Sequence, residues 1–170
     1  MKPRAIVYTS NTGHTAAYAK LLGDRIGLTV LTLDEALANL NKGSGIIYLG
    51  WIMAGKVQGY KKAARRFNVG VVCGVGMVPG GLNADKLRAV TGIRSDIDVY
   101  AAPGGFEFAK LRGLYKMMMG KSVQKTAAEL GAKPQRTPAE DELYKLMTDG
   151  ASLVDEKWLD GIVEWYKKQK

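Results

Sequence analysis

Between the apolar run Ala5–Tyr8 and the first stretch of helical spacing lies a segment rich in hydroxyl and amide side chains: Thr9, Ser10, Asn11, Thr12, Gly13, His14 and Thr15. At a strand-to-helix junction such hydroxyls, together with backbone N–H groups, converge at the positive end of the helix dipole, where an anion is favoured. Gly13 permits the close turn this requires. The segment carries no lysine and matches neither GxxxxGK[ST], the triphosphate loop, nor GxGxxG, the dinucleotide turn. Neutral donors without a cation suit a terminal phosphate monoester. Capping a helix takes one such residue, and this loop offers several. His14, the only histidine, occupies a variable position, where hydrogen bonding to phosphate or simple exposure suits it better than proton transfer. No residue is singled out as a catalytic base.

A loop of this kind must be held by a strand before it and a helix after it. Ala16, Ala19, Leu22 and Ile26 recur at helical spacing from Thr15 to Ile26. Thr29–Leu33 reads as a second strand, with Asp34 as N-cap of a short helix Glu35–Leu40. Gly45–Gly50 is a third strand, Trp51–Gln58 a loop, and Gly59–Phe67 a helix. Val69–Val75 is a fourth strand, followed by the loop Met77–Gly81, a helix over Asn83–Val90 and a fifth strand, Ile97–Ala101. Continuous apolar strands alternating with amphipathic helices predict α/β architecture: a three-layer, doubly wound, five-stranded parallel sheet covered on both faces. Ligands of such sheets bind outside the carboxyl ends of the strands, where strand order reverses. Two further loops thereby join the first as candidates: Gly50, Trp51, Ile52, Met53, Ala54, Gly55 and Lys56 after strand three, and Ala102, Pro103, Gly104, Gly105 and Phe106 after strand five.

The S-x-T-G-x-T pattern formed by Ser10, Thr12, Gly13 and Thr15 resembles the phosphate loop of the flavodoxin family, and the order and spacing of elements over about residues 4–105 are similar to a flavodoxin-like domain. The resemblance implies FMN as cofactor, its phosphate held by residues 9–15 and its isoalloxazine ring by the other two loops. Trp51 stands where a ring-stacking aromatic is expected, Gly50 and Gly55 would free the backbone near flavin N5, and Phe106 would cover the ring. A cation at Lys56, if turned inward, would favour the anionic reduced flavin. A Trp that plugs the sheet edge and a Pro-Gly-Gly loop that merely turns the chain are the plainer readings. Beyond strand five, PGGFEFAKLRGLYKMMMGK and GASLVDEKWLDGIVEWYKK resemble, by composition, the long insertion and last helix of menaquinone-dependent protoporphyrinogen oxidases. That implies an oxidoreductase able to dehydrogenate a bulky anionic substrate and pass electrons to a quinone.

The whole of 1–170 is expected to be one flavodoxin-like domain with a helical insertion over about 106–150 and a closing helix over about 155–168. Thr137–Pro138 should open a helix over Ala139–Met147 after a linker, Gly131–Glu140. Trp158, Leu159, Ile162, Val163 and Tyr166 should pack against the sheet. Met117, Met118 and Met119 read as helix packing before a quinone cap. The formal charge of +9 and pI near 9.6 attract anions generally. Lys110, Arg112, Lys116, Lys121 and Lys125 make the insertion a basic element suited to an anionic membrane surface or an anionic substrate. No aromatic RNA-binding signature accompanies the charge, so nucleic acid is not expected. Cys73, the single cysteine, fits a strand core and a reducing compartment. The start, MKPRAIVYTSNTG, lacks the long apolar run of a signal peptide, which points to the cytoplasm, with peripheral contact at the inner face of the membrane. The expected partners are a redox protein, a quinone or a small anionic substrate, and a homo-oligomer is compatible with the sequence. A non-catalytic flavodoxin-fold binding or regulatory module is the alternative to an FMN-dependent electron-transfer protein or oxidoreductase.

Overall fold

A computed structural model describes residues 2–77, 83–106 and 113–169; the side chains of 113–115, 118, 119 and 122 lie outside that description. The readings made for 78–81, for Lys110 and Arg112, and for the side chains of Met118 and Met119 fall outside it too. The elements are β1 (Ala5–Thr9), α1 (His14–Ile26), β2 (Thr29–Thr32), α2 (Leu33–Asn39), β3 (Gly45–Met53), β4 (Lys56–Val57), α3 (Tyr60–Arg66), β5 (Asn68–Gly76), α4 (Ala84–Thr91) and β6 (Asp98–Pro103). There follow β7 (Gly105–Phe106), α5 (Gly113–Gly131), α6 (Pro138–Thr148), β8 (Ala151–Ser152), a 3-10 turn over Glu156–Leu159 and α7 (Asp160–Lys167). The chain divides into two units, Met1–Gly104 with Val154–Lys170, and Gly105–Leu153.

In the first unit the parallel strands stand in the order β2-β1-β3-β5-β6, and short β4 runs antiparallel to the end of β3. This is the flavodoxin-like, doubly wound order, with the reversal between β1 and β3. Ile6, Val7, Ile46–Leu49 and Val71–Cys73 are fully buried, as central strands covered on both faces must be. Residues alternate between two cores. Ile6, Ile47, Leu49, Val71 and Cys73 meet Tyr18, Ala19 and Leu22 of α1 and Ile162 and Val163 of α7. Val7, Ile46, Tyr48 and Val72 meet Ala36 of α2, Tyr60 and Ala63 of α3 and Leu87 of α4. The sheet is therefore the middle of three layers.

Several boundaries differ from the sequence reading. The N-cap of α2 is Thr32, not Asp34. Thr32 Oγ1 accepts from the Glu35 amide at 3.2 Å, and the Glu35 carboxylate accepts from the Thr32 amide at 2.8 Å. This reciprocal box satisfies two helix-end donors, and it leaves Asp34 exposed in the first turn beside Lys62. Strand β3 continues past Gly50 to Met53 because Trp51 pairs with Val75 and Ile52 with Val57. Strand β6 likewise reaches Pro103, paired with Gly76. The closing helix begins as a 3-10 turn capped by the Asp155 side chain. Leu159, Ile162 and Val163 are core residues, with Trp158, Trp165 and Tyr166 packed partly against them. A register shift between β3 and β5 pairs Ile46 with Val69 but Ile47 with Val71, which leaves Gly70 as an extra residue.

In the second unit β7 and β8 form an antiparallel pair, Gly105 with Ser152 and Phe106 with Ala151. Gly105 has φ +99°, and a Cβ there would run into the Ala151 carbonyl. Thr137 and Glu140 form a second capping box, with Pro138 at the first position of α6. Arg136 joins the two helices: its Nε donates to Asp141 at 2.7 Å, Nη1 to the Leu130 carbonyl at 3.0 Å, and its guanidinium lies 4.4 Å from the Tyr144 ring centre. Met117 is exposed rather than packed, at 63%. Among the described residues no helix is long and apolar enough to cross a membrane.

Candidate functional site

Thr9 pairs with Gly50, Trp51 with Val75 and Gly76 with Pro103, so the three candidate loops leave the same carboxyl edge of the sheet. The first loop turns on Gly13, whose φ of +95° belongs to the left-handed region. Among the described residues a Cβ on Gly13 would meet nothing within 4 Å. Among the described residues no side chain caps α1, and its first turn carries no acid. The first amides of a helix point out of its amino end, where an anion is favoured.

Inside the loop, the Gly13 amide donates to Ser10 Oγ at 3.1 Å, which closes the turn. Thr12 Oγ1 lies 2.9 Å from His14 Nδ1. If Nδ1 bears the proton, Thr12 accepts and keeps its own O–H for a ligand; in the other tautomer Thr12 donates inward. His14 is 7% exposed, so it is built into the loop and simple exposure does not describe it. Thr15 is also buried, in the first turn of α1, while Ser10, Asn11 and Thr12 are half-buried.

Thr9 takes a different part. Its hydroxyl donates to the Gln58 carbonyl at 2.9 Å and lies 3.1 Å from the Tyr48 hydroxyl, which donates to the same carbonyl at 2.7 Å. Burial pushes the Tyr48 phenol up to about 12, against the opposing pull of its bond to Thr9. Thr9 thus fastens β1 to the segment after β3.

That segment is a hairpin instead of a loose loop. Ala54 (φ +48°) and Gly55 (φ +74°) are both left-handed, the pattern of a two-residue turn that matches strand twist. Gln58 secures it. Its amide donates to the Trp51 carbonyl at 2.9 Å, and its side-chain Nε2 donates to the carbonyls of Met53 and Lys56. Gly50 is required for close approach, since a Cβ there would stand 2.7 Å from the Gln58 carbonyl oxygen. The Val57 amide donates to Thr91 Oγ1 at 3.0 Å, and Gly55 faces Val90, so the hairpin is pinned to α4. Ile52 packs into the α2–α4 core, and Ala54, Gly55 and Lys56 are exposed. Lys56 therefore does not turn inward within this unit. Trp51 is half-buried and follows Leu49 in the strand alternation, on the side of the sheet that carries α1.

The expected third loop is strand up to Pro103 and is divided between the units. Pro103 and Gly104 are buried in the first. A Cβ on Gly104 would stand 2.9 Å from the Cβ of His14 and from Cγ1 of Val75, so this glycine lets β6 end against the phosphate-loop candidate. Gly105 and Phe106 belong to the second unit, where Phe106 is buried in β7.

Two residues that the sequence reading passed over organise this edge. Gln58 is one. The other is Tyr18, one helical turn beyond His14 and fully buried. Its hydroxyl donates to the Pro103 carbonyl at 2.8 Å and accepts from the Asp155 amide at 3.3 Å. Burial pushes this phenol up to about 12. A tyrosine within the helical stripe of Ala19 and Leu22 was the available signal, because a buried phenol must find a partner. Cys73 is fully buried, with its thiol pushed up to about 12, and stays inert. No group of metal-ligating side chains occurs among the described residues.

No family model and no curated protein matches the chain. The chemistry the arrangement supports is binding of an anion at the start of α1, at the reversal of strand order between β1 and the strand that carries half-buried Trp51.

Proposed function

We propose that this chain binds FMN and transfers electrons through it, as an electron-transfer protein or an oxidoreductase. The observation that carries the reading is the start of α1: at the switch point of the sheet, a helix terminus entered through left-handed Gly13 and capped by no side chain among the described residues. This fits a dianionic phosphate monoester, because the helix dipole and neutral donors of Ser10, Asn11 and Thr12 balance its charge without a lysine. Bound FMN would supply one- or two-electron chemistry. The residues around it orient the phosphate, and Trp51 offers an aromatic face near the carboxyl end of β3. His14, through its tautomer, decides whether Thr12 offers a proton to the phosphate. Gly104 and Tyr18 hold the neighbouring strand end in place.

The partners proposed are a redox protein, a quinone or a small anionic substrate of the protoporphyrinogen type. Lys121 and Lys125, exposed on α5, support peripheral contact with an anionic membrane at its cytoplasmic face.

Adding FMN to the purified chain tests the reading. It should be taken up in one equivalent and released on denaturation. Thr12→Val should weaken it about tenfold, the value of one neutral hydrogen bond, and Trp51→Ala should shift the flavin spectrum. A chain that takes up no FMN would leave the non-catalytic module. Redox titration then separates one-electron carriage, with a stabilised semiquinone, from two-electron dehydrogenation.

A further inference from the structure

At the opposite edge of the sheet, beneath the amino ends of β5 and β6, the first unit has a cleft of about 750 Å³. Lys61 and Arg65 of α3 line it, one helical turn apart, and both are exposed with no ion pair among the described residues. Like charges at this spacing repel. Among the described residues Asp96 is the only carboxylate in the lining, and the fork of Arg94 already neutralises it, with Nε 2.9 Å from its Oδ1. A second cleft of about 570 Å³ adjoins the first, lined by Lys2, Arg4 and Lys42. Asn68 links the two: its amide donates to the Ser44 carbonyl and its side chain to the Gly43 carbonyl. The two clefts thus present Lys61, Arg65, Lys2, Arg4 and Lys42, a concentration of positive charge that attracts anions.

The larger cleft also has a built aromatic wall. Gly70, the extra residue in the β3–β5 register, bears no side chain, and the Trp165 ring lies over it: a Cβ there would stand 2.7 Å from Cη2. The indole is fixed against the strand yet only half-buried. Bulges of this kind recur beside binding sites, where they re-aim the chain. Asn68 and Gln169 also line the cleft, their side-chain amides donating to the carbonyls of Gly43 and Trp165.

We propose that this cleft is an anion site for a mononucleotide-class ligand, the phosphate held by Lys61 and Arg65 and the flat base lying against Trp165. The volume lies within the range of small-molecule sites. Gly70 and Gly76 mark opposite ends of β5, about 20 Å apart at the rise of a strand, so the site is separate from the start of α1 and holds whether or not FMN binds there.

The test is an amide and indole NMR titration of the full chain with adenosine 5′-monophosphate, and in parallel with inorganic phosphate alone. The nucleotide should move the amides of Gly70 and Arg94 and the Trp165 indole N–H. Its affinity should fall at least tenfold in Lys61→Glu/Arg65→Glu, while the signals of residues 10–15 in the free variant stay in place as evidence of an intact fold. Three results would each overturn the proposal: a silent cleft with shifts confined to residues 10–15, unchanged affinity in the charge-reversed variant, or inorganic phosphate binding as tightly as the nucleotide with no response from the indole.

Discussion

The hydroxyl of Thr9 donates to the carbonyl of Gln58 at 2.9 Å, and this one bond joins the end of β1 to the far arm of the hairpin that follows β3. Tyr48 donates to the same oxygen at 2.7 Å, so the carbonyl has two donors and either one satisfies it. Thr9→Val and Tyr48→Phe should each lower stability by about 1 kcal/mol. The double variant should lose more than the sum, because only then is the carbonyl left without a partner. Urea unfolding of the four proteins in a double-mutant cycle reads the coupling; strict additivity would mean that the shared oxygen does not matter.

Tyr18 makes a comparable but unshared pair of bonds. Tyr18→Phe keeps the ring and removes both the donor to Pro103 and the acceptor for Asp155. A cost of about 1–3 kcal/mol is expected for leaving buried polar groups unmade. Hydrogen exchange at the Asp155 amide should quicken beyond what global destabilisation accounts for, and an unaltered protection factor would show the bond to be incidental.

Gly13 separates backbone strain from steric conflict. A Cβ at this position meets nothing within 4 Å among the described residues, so Gly13→Ala should cost about 1–2 kcal/mol through the left-handed φ of +95°. Gly13→Asn should recover part of the loss, since Asn tolerates that region. Denaturant midpoints of the two variants make the comparison, and equal losses would argue for a contact instead of strain.

Alkaline pH should expose the buried phenols and thiol. Tyr18 and Tyr48 have their pKa raised from 10.0 to about 12, and Cys73 from 9.0 to about 12, chiefly by burial. The unfolded chain gives up these protons first, so their contribution is complete below pH 9 and is lost as pH climbs toward 12. Unfolding free energies measured at pH 8, 10 and 11.5 should fall in that order. Tyr18→Phe/Tyr48→Phe should flatten the decline, and a slope unchanged in that variant would assign it to other groups.

Much of the fold was readable in the sequence because its strongest signals are long. The apolar runs of β3 and β5 and the helical spacing of α1 survive any small error at their ends. The hairpin after β3 was hidden: Gly50 reads as a terminator, and the turn uses Ala54–Gly55, which lacks the Asn or Asp that usually marks such turns. The role of Gln58 was illegible for a deeper reason, since much of it runs through the backbone carbonyl and amide that any residue would have. Of the candidate site, the loop from Ser10 to Thr15 was visible from its residue types. The parting of Pro103–Gly104 from Gly105–Phe106 was not, because it depends on a pairing with Ala151 and Ser152 that no local pattern announces.

Because one phenolic oxygen receives the chain at Asp155 and grips it at Pro103, the first unit fixes both ends of the excursion 105–153 by itself. The entropy of closing a loop between fixed ends grows only logarithmically, by about 0.6 kcal/mol for each doubling of its length. For a flexible connection between those two points, added length would therefore cost the sheet little. The anchoring of the first unit at Pro103 and Asp155 is thus made by its own residue, Tyr18, and not by the chain between them.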